Sequence, residues 1–260
     1  MRCLINCFSP TRNTYNLCED MAKTLRNNGY AVDIFDVTRR AIRERRQAVD
    51  IAYDLFVIAF PVYNQSIPDA YAEYLKHLKI NAENGAIVAT YGSVTIGNAL
   101  SQANHILKEK GISIYGAAAI PAEHSYSSAF KDYGIYYDYS VELENFLKKV
   151  IYNVKNKKHV DIKGQFAVAE LFGQKFLGKV SIKIPRVDKN KCVRCNKCIT
   201  ACPTDAIDKD LSISVKQCIR CAACVKVCEF GARLCTFNNP IAKSIVSKGV
   251  KNLGKLIDIT

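Results

Sequence analysis

Apolar positions in the first 150 residues come in short runs set between amphipathic stretches. CLINCF (3–8), YAVDIFDV (30–37), DLFVIAFPVY (54–63), GAIVATYG (85–92) and ISIYGAAAIPA (112–122) are strand-length. Near-continuous hydrophobicity, as in 54–63, marks a strand covered on both faces. Between these runs the period lengthens to that of a helix. TYNLCEDMAKTLRNNG (14–29) puts Leu17, Met21 and Leu25 on one face and stops at Gly29. SIPDAYAEYLKHL (66–78) opens with Ser66 and Pro68 and aligns Tyr71, Leu75 and Leu78. NALSQANHILKEKG (98–111) closes on Gly111, and DYSVELENFLKKVIYNVK (138–155) is a last helix. Five buried strands separated by helices predict an α/β, doubly wound parallel sheet.

Past residue 150 the pattern changes. IYNVKNKKHVDIKGQ (151–165) is polar, basic and aperiodic, as at a domain boundary. FAVAELFGQKFLGKV (166–180) carries an apolar stripe of Phe166, Leu171, Phe172, Phe176 and Leu177 and predicts a docking helix. It has too few basic residues for a membrane-surface helix. IAKSIVSKGVKNLGKLIDI (241–259) is a second amphipathic stretch, expected to pack back on the body. The expected units are 1–155, a linker with docking helix at 156–180, a small domain at 181–235 and a helical tail at 236–260.

Composition sharpens this picture through cysteine: 12 in 260 residues. MRCLINCFSP lacks a long apolar export segment, and no window approaches 18 apolar residues. The expectation is a cytoplasmic chain without membrane insertion, where close cysteines serve metal or redox chemistry. Cys192, Cys195, Cys198 and Cys202 are each repeated 26 residues later, as Cys218, Cys221, Cys224 and Cys228. Three thiolates at every third residue can wrap one cubane, and the next cysteine is carried away from it. Structural zinc favours CxxC pairs across long gaps, which this run fits poorly. Cys3, Cys7, Cys18 and Cys235 have no ligand spacing, and the first three read as buried small hydrophobes.

Residues 185–235 resemble a bacterial two-cluster ferredoxin, in which the fourth cysteine of each run ligates the other cluster. The resemblance implies two [4Fe-4S] clusters: one on Cys192, Cys195, Cys198 and Cys228, the other on Cys218, Cys221, Cys224 and Cys202. Pro203 follows the first run, whereas Glu229 takes the matching place in the second.

The first strand is followed by CFSPTRNTY (7–15), not by the GxGxxG of a dinucleotide fold. Hydroxyls and amides just before a helix can cradle a phosphate, although the same residues also make ordinary caps. FSPTRNT resembles the FMN phosphate loop of flavodoxins. That likeness implies a flavodoxin-like five-stranded sheet of order 2-1-3-4-5, with Ser9, Thr11, Asn13 and Thr14 at the phosphate. Arg12 stands where glycine is common; it is a further phosphate contact or a solvent-facing charge, and is expected to need an ordinary backbone there. Tyr63, and Tyr91 with Gly92, end the third and fourth strands, where ligands of such sheets bind. Either tyrosine could equally be packing. His124 lies in PAEHSYS after the fifth strand, in a stretch similar to flavodoxin-like proteins fused to ferredoxins; it is a flavin-side donor or a surface residue.

A flavin beside clusters predicts an electron-transfer iron-sulfur flavoprotein of an anaerobe, since FMN handles one or two electrons and a cluster one. An FMN-dependent reductase of a small molecule or partner cofactor is the alternative, as is a ferredoxin with an FMN-free docking domain. The net charge of +13 favours an acidic redox protein as partner. Nucleic acid would fit the charge, but no aromatic-and-basic module accompanies it.

Overall fold

A computed structural model describes residues 1–45, 48–130, 138–164, 173–251 and 254–260. The first unit runs β1 (Arg2–Cys7), α1 (Asn13–Asn27), β2 (Ala31–Asp36), α2 (Arg40–Arg45), β3 (Ala48–Tyr53), β4 (Leu55–Pro61) and α3 (Asp69–His77). It continues through β5 (Lys79–Ala82), β6 (Asn84–Tyr91), α4 (Ala99–Glu109), β7 (Ser113–Pro121) and α5 (Ser140–Lys155). Strands β2-β1-β4-β6-β7 pair in parallel in that order. Numbered among themselves they run 2-1-3-4-5, the flavodoxin-like winding. Every residue of β4 is buried because helices cover both faces. Leu17, Met21 and Leu25 of α1 pack with Phe146, Leu147 and Val150 of α5 on one side. Tyr71 and Leu75 of α3 and Leu100 and Leu107 of α4 fill the other.

Three features depart from the sequence pattern. Strands β3 and β5 form a separate parallel pair. β3 is largely exposed and carries no apolar run to announce it. Segment 156–164 is not a free linker: the Val160 N–H bonds Ile114 O at 3.0 Å, and Ile162 is buried at 6% exposure. Among the described residues the tail is helical over Pro240–Lys251, and Ile257–Ile259 forms β10, antiparallel to β7. Alternating Ile257 and Ile259 suit a strand, and the free edge of β7 supplies the hydrogen bonds. Of the predicted 166–180 helix, Phe166, Leu171 and Phe172 lie outside the described residues. Its described end forms α6 (Gln174–Ser181).

The small second unit is two copies of one device. Helices α7 (Lys197–Thr200) and α8 (Ala223–Lys226) are equivalent, and β8 (Arg186–Val187) pairs with β9 (Arg233–Leu234). Left-handed backbone recurs 26 residues apart, at Arg194 and Arg220 (φ 54° in both) and at Asn196 and Ala222 (61° and 60°). α9 (Pro240–Lys251) then returns to the first unit. Among the described residues, no helix is long and apolar enough to cross a membrane.

Candidate functional site

The left-handed turns fold each cysteine run around a small chamber. The outer chamber is lined by Cys192, Cys195, Cys198 and Cys228, the inner by Cys202, Cys218, Cys221 and Cys224. The fourth cysteine of each run thus crosses to the other chamber. Among the described residues, no three His, Cys, Asp or Glu side chains converge closely enough to hold a single ion. Four sulfurs around a void suit a multi-atom cubane better than tetrahedral zinc. The Ala206 N–H donates to Cys202 Sγ and the Ala232 N–H to Cys228 Sγ, both at 3.2 Å, at equivalent places in the repeat. Burial raises the Cys221 thiol well above its ordinary pKa and pushes Cys224 up to about 12. Holding these as thiolates requires a cationic core. Cys195 is exposed whereas Cys221 and Cys224 are buried, so the two chambers differ in their access to solvent.

Pro203 and Glu229 use their matched places differently. The Pro203 carbonyl accepts a 2.7 Å hydrogen bond from buried Arg43 on α2, tying the run to the first unit. Glu229 accepts from Lys197 Nζ at 2.6 Å on the surface.

A cleft of about 330 Å³ lies where the carboxyl ends of the sheet meet the second unit. Thr11, Asn13, Tyr63, Thr90, Tyr91, Gly92 and His124 line it from the sheet. Ile219 and Arg220, between the inner-chamber ligands Cys218 and Cys221, line it from the second unit. Leu177 of α6 and Ala242, Ile245 and Val246 of α9 complete the wall.

The predicted loop residues divide into two kinds. Thr11 and Asn13 reach the cleft, and Asn13 Nδ2 also donates to Glu123 O at 2.8 Å. Ser9 and Thr14 are buried behind them. Ser9 Oγ accepts the Tyr15 N–H at 2.9 Å, and Thr14 Oγ1 lies 2.7 Å from Thr90 Oγ1. The residue before α1, Arg12, makes no side-chain cap bond, and Ser9 serves only the third N–H of the helix. No acceptor among the described residues takes the Asn13 or Thr14 N–H, which leaves an anion-ready helix start.

Arg12 does not keep the ordinary backbone expected of it. Its φ is 71°, the left-handed shape that glycine would take without strain, at roughly 1–2 kcal/mol for a residue with a Cβ. Its guanidinium lies 3.6 Å from the Tyr15 ring centroid, and Nη1 is 3.2 Å from Asp36 Oδ2. These contacts hold the turn, and Arg12 is not part of the cleft wall.

Gly92 is explained by His124. A Cβ at Gly92 would lie 2.2 Å from His124 Cδ2. Desolvation pushes the His124 pKa down to about 4, so the imidazole is neutral near pH 7. Its Nδ1 accepts the Tyr126 N–H at 3.1 Å, which assigns the remaining proton to Nε2. The Tyr91 hydroxyl donates to Lys255 O at 2.6 Å and so holds the tail. The Tyr63 hydroxyl is buried without a partner at hydrogen-bond geometry among the described residues. Burial raises its pKa well above the ordinary value, with Cys221 as an electrostatic neighbour.

Several residues of this junction carry no motif. Gln174 bonds Tyr63 O at 2.7 Å and Ile67 O at 3.0 Å, seating α6 on the 63–69 loop. The Tyr126 hydroxyl donates to Arg220 O. Lys226 meets Glu123 at 2.7 Å. Burial pushes the Glu123 carboxyl up, but hydrogen bonds from Lys226 and Ser127 outweigh this and hold it below its ordinary pKa. These are pairings across about 100 residues of chain, with no local signature.

Residues 184–229, spanning all eight chamber cysteines, match the model of a family described as a 4Fe-4S dicluster domain. Flavodoxin 1 from Bacillus cereus is similar at 14% identity over 58% of this chain and 98% of its own, with a TM-score of 0.41. A flavodoxin from Streptococcus pneumonia TIGR4 gives 17%, 59%, 99% and 0.42. Rubredoxin oxygen:oxidoreductase from the anaerobe Desulfovibrio gigas gives 14%, 60%, 36% and 0.43. No curated protein matches the chain. The strand order of the first unit and the dicluster match of the second define a flavodoxin-like fold joined to a ferredoxin-type 4Fe-4S domain.

Proposed function

We propose that the chain relays electrons between two [4Fe-4S] clusters and an FMN held in the cleft. The observation that carries the reading is the shared wall: Ile219 and Arg220 of the inner-chamber loop face the same space as Thr11, Asn13, Gly92 and His124. FMN exchanges one or two electrons and a cluster one. The chain supplies placement. The free amides of Asn13 and Thr14 and the Thr11 hydroxyl bind the phosphate. Neutral His124 offers an Nε2–H donor without adding charge. Ile245 and Val246 give the cleft an apolar wall. The Tyr126–Arg220 hydrogen bond joins the cleft wall to the inner ligand loop. Exposed Cys195 marks the outer chamber as the external port. Val193 (56% exposed) and Phe230 (49%) form an apolar contact there, with Lys191 and Arg194 exposed nearby in sequence to meet an acidic redox protein.

Anaerobically prepared protein is expected to hold about eight iron, eight sulfide and one FMN, counts that follow from two cubanes and one phosphate loop. Cys202→Ser, which removes an inner ligand, should leave FMN bound but slow its reduction by a one-electron donor in rapid mixing. Flavin reduced at the wild-type rate in that variant would sink the relay.

A further inference from the structure

The two halves of the 26-residue repeat differ in kind at one chamber wall. Ile207 lies five residues after Cys202, and Arg233 five after Cys228. Each follows an alanine whose N–H meets the sulfur of its run's fourth cysteine. Ile207 lines the inner chamber and Arg233 the outer. Both are buried, at 5% and 3% exposure. An aliphatic side chain in one half is therefore a guanidinium in the other.

The contacts of Arg233 leave its charge unanswered. Nη2 donates to Leu211 O at 2.9 Å and stands 3.7 Å from Cys198 Sγ. Nε is buried with no partner among the described residues. None of the described ion pairs includes Arg233. A buried cation without a counter-charge is strongly unfavourable. The anion its position can serve is a thiolate-ligated cubane, whose four cysteinates outweigh the charge of the core. We propose that Arg233 is a built-in counter-cation of the outer 4Fe-4S cluster and raises its reduction potential. Reduction adds negative charge, which a fixed guanidinium at short range stabilises. A donor to a ligand sulfur acts in the same direction. The inner chamber has Ile207 at the matching place and a guanidinium from a different position, buried Arg220 between Cys218 and Cys221, whose Nε donates to Ile182 O at 3.0 Å.

The inference rests on both chambers holding clusters, which the wild-type iron count tests separately. Its own test is an EPR-monitored reductive titration of the anaerobically purified full chain with dithionite. Arg233→Ile makes the two halves alike in size and polarity. It should lower the reduction constant of one cluster at least tenfold, a shift of about 59 mV for one electron. Arg233→Lys should hold the wild-type potential within about threefold in that constant, since it keeps the charge. Unchanged potentials in Arg233→Ile would overturn the proposal. If that variant does not retain iron, Arg233→Gln, neutral and polar, decides by the same criterion. Loss of four irons in both neutral variants, with eight retained in Arg233→Lys, supports the counter-charge. Loss in all three makes Arg233 a packing residue and overturns it.

Discussion

His124 and Thr11 carry the sharpest consequences at the scale of single residues. Desolvation holds the native His124 pKa near 4, below the ordinary 6.5 of the unfolded chain. The unfolded state therefore binds a proton that the native state refuses between those values. The His124 contribution is fully present above about pH 6.5 and is lost as pH falls towards 4. Its slope is at most about 1.4 kcal/mol per pH unit. Urea unfolding followed between pH 7 and 5.5 should lose stability less steeply in His124→Gln; parallel profiles would show that the imidazole is not held neutral. Thr11 lines the cleft, whereas the Thr14 hydroxyl is engaged with Thr90. Thr11→Ala should weaken FMN binding about 10- to 100-fold, the value of a hydrogen bond to a charged group. Thr14→Ala should instead cost on the order of 1 kcal/mol of stability. Fluorescence titration of the two variants separates these outcomes, and equal loss of affinity would put both hydroxyls on the phosphate.

At the scale of elements, the tail does more than pack. Asn239 caps α9 through a 2.7 Å bond from the Ala242 N–H and also donates to Val180 O of α6. The two helices on the cleft are thus set as a pair. α9 passes so close to the 92–94 loop that a Cβ at Gly249 would lie 2.6 Å from Val94 Cγ2 and 2.8 Å from Gly92 O. Beyond it, Gly254 lies against the Tyr91 hydroxyl, and β10 closes the sheet edge. Gly249→Val has no room and should lift α9 from the loop. Faster FMN release, read as recovery of free-flavin fluorescence, is expected with the iron content unchanged. A wild-type release rate would mean that α9 does not retain the cofactor.

Across the whole molecule, charge and junction act on different steps. Of the cations in 181–235, Arg220 and Arg233 are buried, whereas Lys183, Lys189, Lys191, Lys209 and Lys216 remain exposed. Their field reaches about 10 Å at 0.1 M salt and about 3 Å at 1 M. The second-order rate of reduction by an acidic ferredoxin should fall roughly tenfold or more over that range. Transfer within the chain should change little, because Gln174, Arg43, Tyr126 and Lys226 already hold the two units together. Rapid mixing at the two salt concentrations separates the steps. A salt-independent encounter would remove the case for electrostatic recruitment.

The amino-acid sequence by itself determined what short-range spacing can encode. Cysteines at every third residue, repeated after 26, specify wrapping turns whatever surrounds them. Apolar runs at strand length and stripes at helical period specify the layers, because burial on two faces or one leaves different patterns. The order of these elements was enough to indicate a doubly wound sheet. Only the tertiary structure decided which of the loop's hydroxyl residues lines the cleft, since Ser9, Thr11 and Thr14 are chemically alike and differ by where Tyr15 and Thr90 lie. It alone put Arg12 in a left-handed turn, where Asp36 and the Tyr15 ring offset the strain. Packing likewise made His124 a neutral wall of the cleft and turned the end of the tail into an edge strand. Arg233 stands between these cases: the repeat shows an arginine facing an isoleucine, but only burial without a carboxylate gives the difference meaning. The meeting of Ile219 and Arg220 with Gly92 and His124 depends on contacts between residues about 100 positions apart, and no local pattern of side chains records a distance of that kind.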